Sequence, residues 1–144
     1  MTDSHTPIPR VNGILETAIH ADDPQRTANF YRQLFEFGTL LESDRLIALD
    51  VAGRNVLLIF KRGATSEPFD TPGGTIPGHG ASGTGHFAFS IALQDVASWH
   101  QRLESLGVAV ESIVKWPGGA ESLYFRDRDH HLVELMTPGF WRIY

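Results

Sequence analysis

The chain of 144 residues contains no cysteine. It therefore has no disulfide bond, no thiolate nucleophile and no cysteine-ligated zinc site, which excludes several kinds of chemistry. Metal or acid–base chemistry has to come from histidine and carboxylate side chains, and the sequence has 7 histidines and 17 Asp and Glu residues.

The sequence also lacks an excess of positive charge and a long apolar segment. Lys and Arg number 12 against 17 Asp and Glu, and the formal net charge of −5 gives no attraction to nucleic acid or anionic lipid. No apolar run approaches the length of about 18 residues that predicts a transmembrane helix, and the amino terminus shows no secretory signal pattern. We expect a cytoplasmic protein whose partners include neither nucleic acid nor membranes.

Length and composition predict one folded domain. Apolar residues make up 42% and charged residues 20% of the sequence, close to the averages of soluble globular proteins. Residues 1–13 are polar and include Pro7 and Pro9, which predicts a flexible lead-in. We expect a single domain over residues 14–144.

The first half of the chain has the pattern of one strand, one helix and three strands. Residues 14–21 resemble a strand, Asp22-Asp23-Pro24 is typical of a helix start, and Gly38 is the expected helix stop. Strand-like segments then follow, which completes a first module over about 14–61: residues 39–42, 45–51 and 56–61. Residues 62–83 are rich in glycine and proline and predict a linker or a lid-like loop.

The second half repeats this plan over about 84–137 and leaves a C-terminal tail, 138–144. A strand is predicted at 85–93 and a helix at 94–106, and three strands follow near 108–114, 121–126 and 132–136. The two helices share one spacing of apolar residues before a glycine: Phe30, Leu34, Phe37 and Gly38 in the first, and Trp99, Leu103, Leu106 and Gly107 in the second. The sequence therefore predicts an α+β fold of two βαβββ modules.

Three polar residues interrupt otherwise apolar strands. Glu16 lies in the first strand, His86 opens the matching strand of the second module, and Glu134 lies in the last strand. Each taken alone also fits a structural or solvent-facing residue, but a carboxylate among apolar neighbours needs a cation, a partner or water. In a pseudo-twofold pair of sheets the three positions can meet, so we expect them to converge on one pocket.

Several segments resemble the vicinal oxygen chelate superfamily, the glyoxalase, bleomycin-resistance and extradiol-dioxygenase group. Leu15-Glu16-Thr17-Ala18 through Asp23 and Phe30-Tyr31-Arg32-Gln33-Leu34-Phe35 are similar to its opening, and Gly85-His86-Phe87-Ala88-Phe89 is similar to its second-module entry. Tyr124-Phe125-Arg126-Asp127 and His131-Leu132-Val133-Glu134-Leu135 are similar to its closing strand pair. The likeness covers residues 14–141 and implies a cupped mixed sheet around a small-molecule pocket.

The resemblance implies one divalent metal ion (Zn, Ni, Mn or Fe) held by Glu16, His86 and Glu134. Glu16 stands where the family usually has His or Gln, so the ligand set departs from two histidines and one carboxylate. The strand 56–60 has no carboxylate, which weakens a glyoxalase I assignment, and Ala18 replaces the threonine of fosfomycin-modifying relatives.

Further residues are candidates for the pocket. The resemblance places His20 and Tyr124 at substrate-contacting positions, and Ser122 and Arg126 share the Tyr124 face, where they can bind an anionic group. A surface ion pair is the alternative for Arg126. His79 lies in the glycine-rich loop that can close over the pocket, while Trp116 and Trp141 are candidates for pocket wall or dimer contact.

Two functions stay open from the sequence. The first is a metal-dependent lyase, isomerase or dioxygenase in which a metal carboxylate, Glu134, or His20 moves a proton. The second is a metal-free protein that binds or sequesters a small molecule, as in bleomycin resistance. In either case the resemblance implies a homodimer whose pockets are shared between the first module of one chain and the second of its partner.

Overall fold

The computed structural model describes residues 7–144. Residues 1–6 of the predicted lead-in lie outside the described part, and residues 7–15 contain neither helix nor strand. Pairing with the rest of the chain begins where the sequence predicted it, because Asn55 donates a hydrogen bond to the Ile14 carbonyl at 2.6 Å. Within residues 7–144 no helix has the length and apolar character needed to cross a membrane.

The first module forms a four-stranded mixed sheet covered by one helix. Its elements are β1 (Glu16–Ala21), α1 (Pro24–Phe35), β2 (Thr39–Glu42), β3 (Leu46–Val51) and β4 (Asn55–Lys61). The strands lie in the order β1-β4-β3-β2, with β1 and β4 parallel and the other pairs antiparallel. Strand β1 is therefore at one edge of the sheet and pairs with β4 alone.

The second module repeats this topology. Its elements follow a short hairpin of β5 (Phe69–Thr71) and β6 (Gly74–Ile76): β7 (His86–Ser90), α2 (Val96–Ser105), β8 (Ser112–Lys115), β9 (Glu121–Arg126) and β10 (Leu132–Met136). The strand order is β7-β10-β9-β8, with β7 and β10 parallel. The predicted α+β fold of two βαβββ modules is confirmed.

The sequence and the structure differ at some ends of elements. Helix α1 ends at Phe35 rather than near Gly38, because Glu36 takes the left-handed conformation (φ 58°) and turns Phe37 onto Phe35, with ring centroids 5.0 Å apart. Strand β8 begins at Ser112 rather than near Val108, because Val108 still donates to the Leu103 carbonyl at the end of α2. A single 3₁₀ turn, Leu93–Asp95, replaces the end of the predicted strand 85–93 and the first turn of the predicted helix.

The glycine-rich segment 62–83 contains the β5–β6 hairpin and is more than the linker or loop that its composition predicted. Thr71 donates to the Gly74 carbonyl at 2.6 Å across the turn, and the Arg45 guanidinium lies 4.2 Å above the Phe69 ring. Thr65 and His79 close the segment at its base through two hydrogen bonds of 2.7 Å. Side-chain and backbone bonds of this kind have no periodic signature in a sequence.

The core is shared between the two modules, because α1 packs across them. Phe35 of α1 lies 4.8 Å from Phe89 and 5.3 Å from Trp99, measured between ring centroids, and Phe30 lies 6.3 Å from Phe125. Arg102 of α2 donates hydrogen bonds to the carbonyls of Leu34 and Gln33, which satisfies acceptors at the end of α1. The modules therefore form one packed body.

Tyr31 provides a buried polar contact between the modules. Its hydroxyl donates to Asp127 Oδ2 at 2.6 Å, and burial, followed by the charge of Asp127 and this hydrogen bond, raises the pKa of Tyr31 well above its usual value. Tyr31→Phe should lower the free energy of unfolding by about 1–3 kcal/mol, because the buried carboxylate loses a donor. Urea unfolding at pH 8 measures this loss.

The same variant should change the alkaline pH dependence of stability. Above pH 10 the unfolded chain loses the Tyr31 proton while the folded chain keeps it, so stability falls as pH rises through that range. The free energy of unfolding of Tyr31→Phe should therefore decrease less steeply between pH 9 and 11 than that of the native protein. Tyr144→Phe is the control, because its hydroxyl is at the surface and donates a long 3.3 Å bond to the Ile91 carbonyl. Equal slopes for the native protein and Tyr31→Phe would contradict the assignment.

Candidate functional site

His86 and Glu134 form a pair on the second sheet. They lie on the adjacent parallel strands β7 and β10, where Leu132 is the register partner of His86 and Ala88 that of Glu134. The His86 Nε2 atom is 3.2 Å from Glu134 Oε1, with the imidazole half exposed and the carboxylate buried. An imidazole nitrogen and a carboxylate oxygen thus meet on one face of the second sheet, where His86 also lines a cleft.

A backbone contact fixes which nitrogen of His86 faces the carboxylate. His86 Nδ1 lies 3.0 Å from the Leu132 carbonyl, which can only accept, so Nδ1 carries a hydrogen in this contact. Nε2 therefore faces Glu134 Oε1, and an imidazole nitrogen and a carboxylate oxygen 3.2 Å apart require a proton or another cation between them.

Two residues of β9 and one that directly follows β8 surround Glu134. Ser122 donates to Glu134 Oε2 at 2.5 Å, and Trp116 Nε1 donates to Ser122 Oγ at 2.9 Å. Burial, then the charge of Glu134 and a hydrogen bond to it, raises the pKa of Tyr124, which is the register partner of Glu134 on β9. Ser122 and Tyr124 therefore lie beside Glu134, and the Ser122 hydroxyl is engaged by its carboxylate.

Glu16 lies at the start of β1 on the other sheet and is exposed. It pairs in register with Val56, and Leu58 occupies the position in β4 that Glu134 has in β10. Among residues 7–144 of one chain there is no group of three His, Cys, Asp or Glu side chains suited to hold a metal ion. Within a single chain His86 and Glu134 come together without Glu16, so the meeting of all three stays a prediction.

A cleft of about 270 Å³ separates the edge strands β1 and β7. Its lining includes His20 from the first module, Arg62 and residues 81–83 from the glycine-rich segment, and residues 84–86 at the start of the second module. The pKa of His20 is lowered by burial and, to a lesser extent, by His79 and Arg62. The His20 ring stacks on Phe60 at 5.6 Å, and within residues 7–144 its buried Nε2 has no hydrogen-bond partner.

The remaining candidates take different places. His79 is exposed and lies edge-on to His20 at 6.0 Å and to Phe60 at 4.8 Å, so it covers the imidazole at the cleft. Arg126 forms an ion pair with Glu111 at 2.9 Å and donates to the His130 carbonyl, which is the surface ion pair that its sequence left open. Trp141 is 60% exposed and packs on Phe140, which in turn packs on Trp116.

His131 is buried, although it directly follows a turn, where side chains are usually solvated. The Gly85 N–H donates to His131 Nδ1 at 2.9 Å, so Nε2 carries the ring hydrogen and donates to the His20 carbonyl at 2.8 Å. His131 therefore joins β1 of the first module to the entry of β7 in the second. No local signal identifies it, because both contacts are distant in sequence.

The fold and this pocket define a class of small two-module α+β proteins, in which sheets of βαβββ topology present polar residues to a shared cleft. A sequence profile of the Glyoxalase/Bleomycin resistance protein/Dioxygenase superfamily matches residues 13–135, and the chain belongs to that family. The predicted membership in the vicinal oxygen chelate superfamily is thereby confirmed.

Individual relatives agree with this membership. The crystal structure of lactoylglutathione lyase from Agrobacterium tumefaciens is 34% identical with a TM-score of 0.84, covering 93% of this chain and 99% of its own. Metallothiol transferase FosB from Bacillus licheniformis is 28% identical over 135 residues, covering 89% of this chain and 77% of the relative. FosX, a fosfomycin resistance protein from Listeria monocytogenes, is 21% identical with a TM-score of 0.67 and covers 91% of this chain and 97% of its own, which shows a shared fold.

Proposed function

We propose that this protein is a divalent-metal-dependent enzyme of the lyase, isomerase or dioxygenase type that acts on a small oxygen-rich molecule. The observation that carries the proposal is the His86–Glu134 pair, in which the Nε2 atom and a carboxylate oxygen face each other at 3.2 Å. A divalent cation in place of the proton between them uses both atoms as ligands. Glu16 is the third proposed ligand.

The donor set fits a divalent ion of the borderline type, such as Zn, Ni, Mn or Fe. Imidazole nitrogen and carboxylate oxygen both suit such ions, and the Leu132 carbonyl holds His86 in the tautomer that ligation needs. When bound, such an ion polarises substrate oxygens. These contacts support a metal site whose protein ligands are His and Glu side chains.

Two side chains are suited to moving a proton at this site. Glu134 is buried with Oε1 on the side of His86, and ionised carboxylates of this kind accept protons from bound substrates. His20 has a lowered pKa, so its imidazole is neutral near pH 7 and able to accept a proton. We assign the general base to Glu134 or His20, and we infer that Tyr124 and His79 contact the substrate.

The substrate class follows from the pocket and from the named relatives. The cleft of about 270 Å³ accepts a small molecule, and its lining combines apolar groups with the imidazoles of His20, His86 and His131. The relatives named lactoylglutathione lyase and metallothiol transferase are enzymes, which favours catalysis over binding alone. The missing carboxylate in β4 and Ala18 in β1 favour a reaction different from that of glyoxalase I or the fosfomycin-modifying relatives.

We further propose a homodimer in which Glu16 of one chain completes the His86–Glu134 pair of the other. Strands β2 and β8 lie at the outer ends of the two sheets, each with one strand neighbour and mostly exposed side chains, and a second copy can cover these edges. Glu16 is exposed in the single chain, as a ligand offered to a partner must be. A cytoplasmic location, and partners that exclude nucleic acid and membranes, stay predictions.

Metal analysis of the purified protein tests the function directly. Protein prepared without chelators and without a nickel affinity step should retain about one divalent ion per chain, because each chain contributes one His86–Glu134 pair. Elemental analysis by mass spectrometry measures the ratio, and calorimetric titration of the stripped protein ranks the four candidate ions. A protein that neither retains nor takes up an ion would contradict the proposal and favour the alternative, a metal-free binding protein.

A further inference from the structure

Glu134 is the end of a chain of hydrogen bonds whose proton directions are fixed. Trp116 Nε1 can only donate, so Ser122 Oγ accepts its hydrogen at 2.9 Å. The hydroxyl hydrogen of Ser122 is then free for Glu134 Oε2, 2.5 Å away, and an ionised carboxylate can only accept it. Each group in this series of hydrogen bonds therefore has a fixed role as donor or acceptor. Ser122, at its centre, is fully buried.

These hydrogen bonds give the two carboxylate oxygens of Glu134 different partners. Oε2 receives a short, charge-assisted hydrogen bond, while Oε1 faces His86 Nε2 at 3.2 Å. A carboxylate bound in this way cannot rotate about its last torsion without breaking the Ser122 bond. The Glu134 carboxylate is thus oriented with Oε1 toward His86.

The strand register explains how Ser122 and Trp116 reach Glu134. On β9 and β10 the partner of Ser122 is Met136, two residues beyond Glu134, so Ser122 and Glu134 are diagonal neighbours on the sheet. On β8 and β9 the partner of Ser122 is Val114, and Trp116 follows two residues later. The contacts therefore run diagonally across three strands and end at Phe140, whose ring lies 4.6 Å from Trp116.

We propose that Ser122 and Trp116 are positioning residues that orient Glu134, with Ser122 acting directly and Trp116 acting through Ser122. The sequence had assigned both residues to substrate contact, but the hydroxyl and the indole N–H are used within the protein. The role in metal binding rests on the proposed function. The orientation of Glu134 itself does not, which allows the two to be tested separately.

The first experiment measures metal affinity by calorimetric titration of the stripped protein with Zn²⁺. Ser122→Ala should weaken affinity about 10–100-fold, the usual effect of losing a hydrogen bond to a ligating side chain. Trp116→Phe keeps a ring but loses the N–H and should cause a smaller loss in the same direction. Ser105→Ala is the control, because its hydroxyl bonds to the Arg102 carbonyl at the surface of α2.

The second experiment follows the fluorescence of Trp116 without any metal. In a Trp99→Phe, Trp141→Phe background, Glu134→Gln should shift Trp116 emission, because the change reaches the indole through Ser122. The same replacement should have no effect on Trp116 when Ser122→Ala is also present. Zn²⁺ binding should likewise shift Trp116 emission when Ser122 is intact. In the Ser122→Ala variant, Zn²⁺ binding should leave Trp116 emission unchanged.

The outcomes separate the two proposals. A protein that binds Zn²⁺ with unchanged affinity in Ser122→Ala would overturn the positioning role while leaving the metal function in place. A protein that binds no ion would refute the function, and the Glu134→Gln shift of Trp116 emission would then decide the positioning role alone. If Glu134→Gln shifts Trp116 emission equally with Ser122 intact and in Ser122→Ala, the positioning role is overturned. Should Ser122→Ala fail to fold, as shown by thermal unfolding, Ser122→Thr keeps the hydroxyl and should restore the coupling.

Discussion

Replacing His86 with Ala should abolish most metal binding. The variant removes the nitrogen that faces Glu134 Oε1 at 3.2 Å and is proposed as one of three protein ligands. Loss of a ligand should exceed the effect of losing an outer hydrogen-bond partner, so we expect affinity to fall more than about 100-fold. Calorimetric titration and elemental analysis of the same preparation give the affinity and the occupancy.

His100→Ala is a matched control for this experiment. His100 also lies near a carboxylate, with its Nε2 atom 3.5 Å from Glu104 Oε1, but on the surface of α2, where the pair is one helical turn apart. Removing it should leave metal content unchanged. Retained metal in His86→Ala, with His100→Ala equal to the native protein, would show that His86 is not a ligand.

Much of the fold could be predicted from the sequence where local signals and packing agree. The bounds of β9 and β10 match the predicted segments 121–126 and 132–136, because each short segment with apolar residues lies between clear turns. Asp23 caps α1 through its side chain, and Pro24 follows it as the capping pattern predicts. At Gly38 the local signal failed, because the contact of Phe37 with the core turned the chain earlier.

The site could be predicted in part, for a physical reason that differs between residues. His86 and Glu134 were recognisable because polar side chains in apolar strands must find a partner, and the register of β7 and β10 brings them together. The role of Ser122 depends on a diagonal contact between strands, which a sequence pattern does not encode. His131 depends on the packing of one module against the other, so its burial follows from tertiary structure alone.

Glu16 presents the remaining question at the site, because the single chain leaves it exposed and apart from the pair. Its sheet has no acidic residue in β4, so the first module cannot form a second His–Glu pair of its own. The second module has the pair but no third ligand among residues 7–144. The two modules thus carry complementary parts of one site, and the proposed dimer brings Glu16 of one chain to the pair of its partner.

Mixing Glu16→Ala chains with His86→Ala chains should therefore restore metal binding that each variant lacks alone. In a mixed dimer one site has lost both ligands, while the other has Glu16 from the His86→Ala chain and the intact pair from the Glu16→Ala chain. Random exchange of subunits gives about half mixed dimers, so about a quarter of all sites should recover. Elemental analysis after mixing and re-isolation measures the recovery, and light scattering establishes the dimer. Because a site built within one chain gains nothing from mixing, metal content that stays at the level of the separate variants would rule out the shared site.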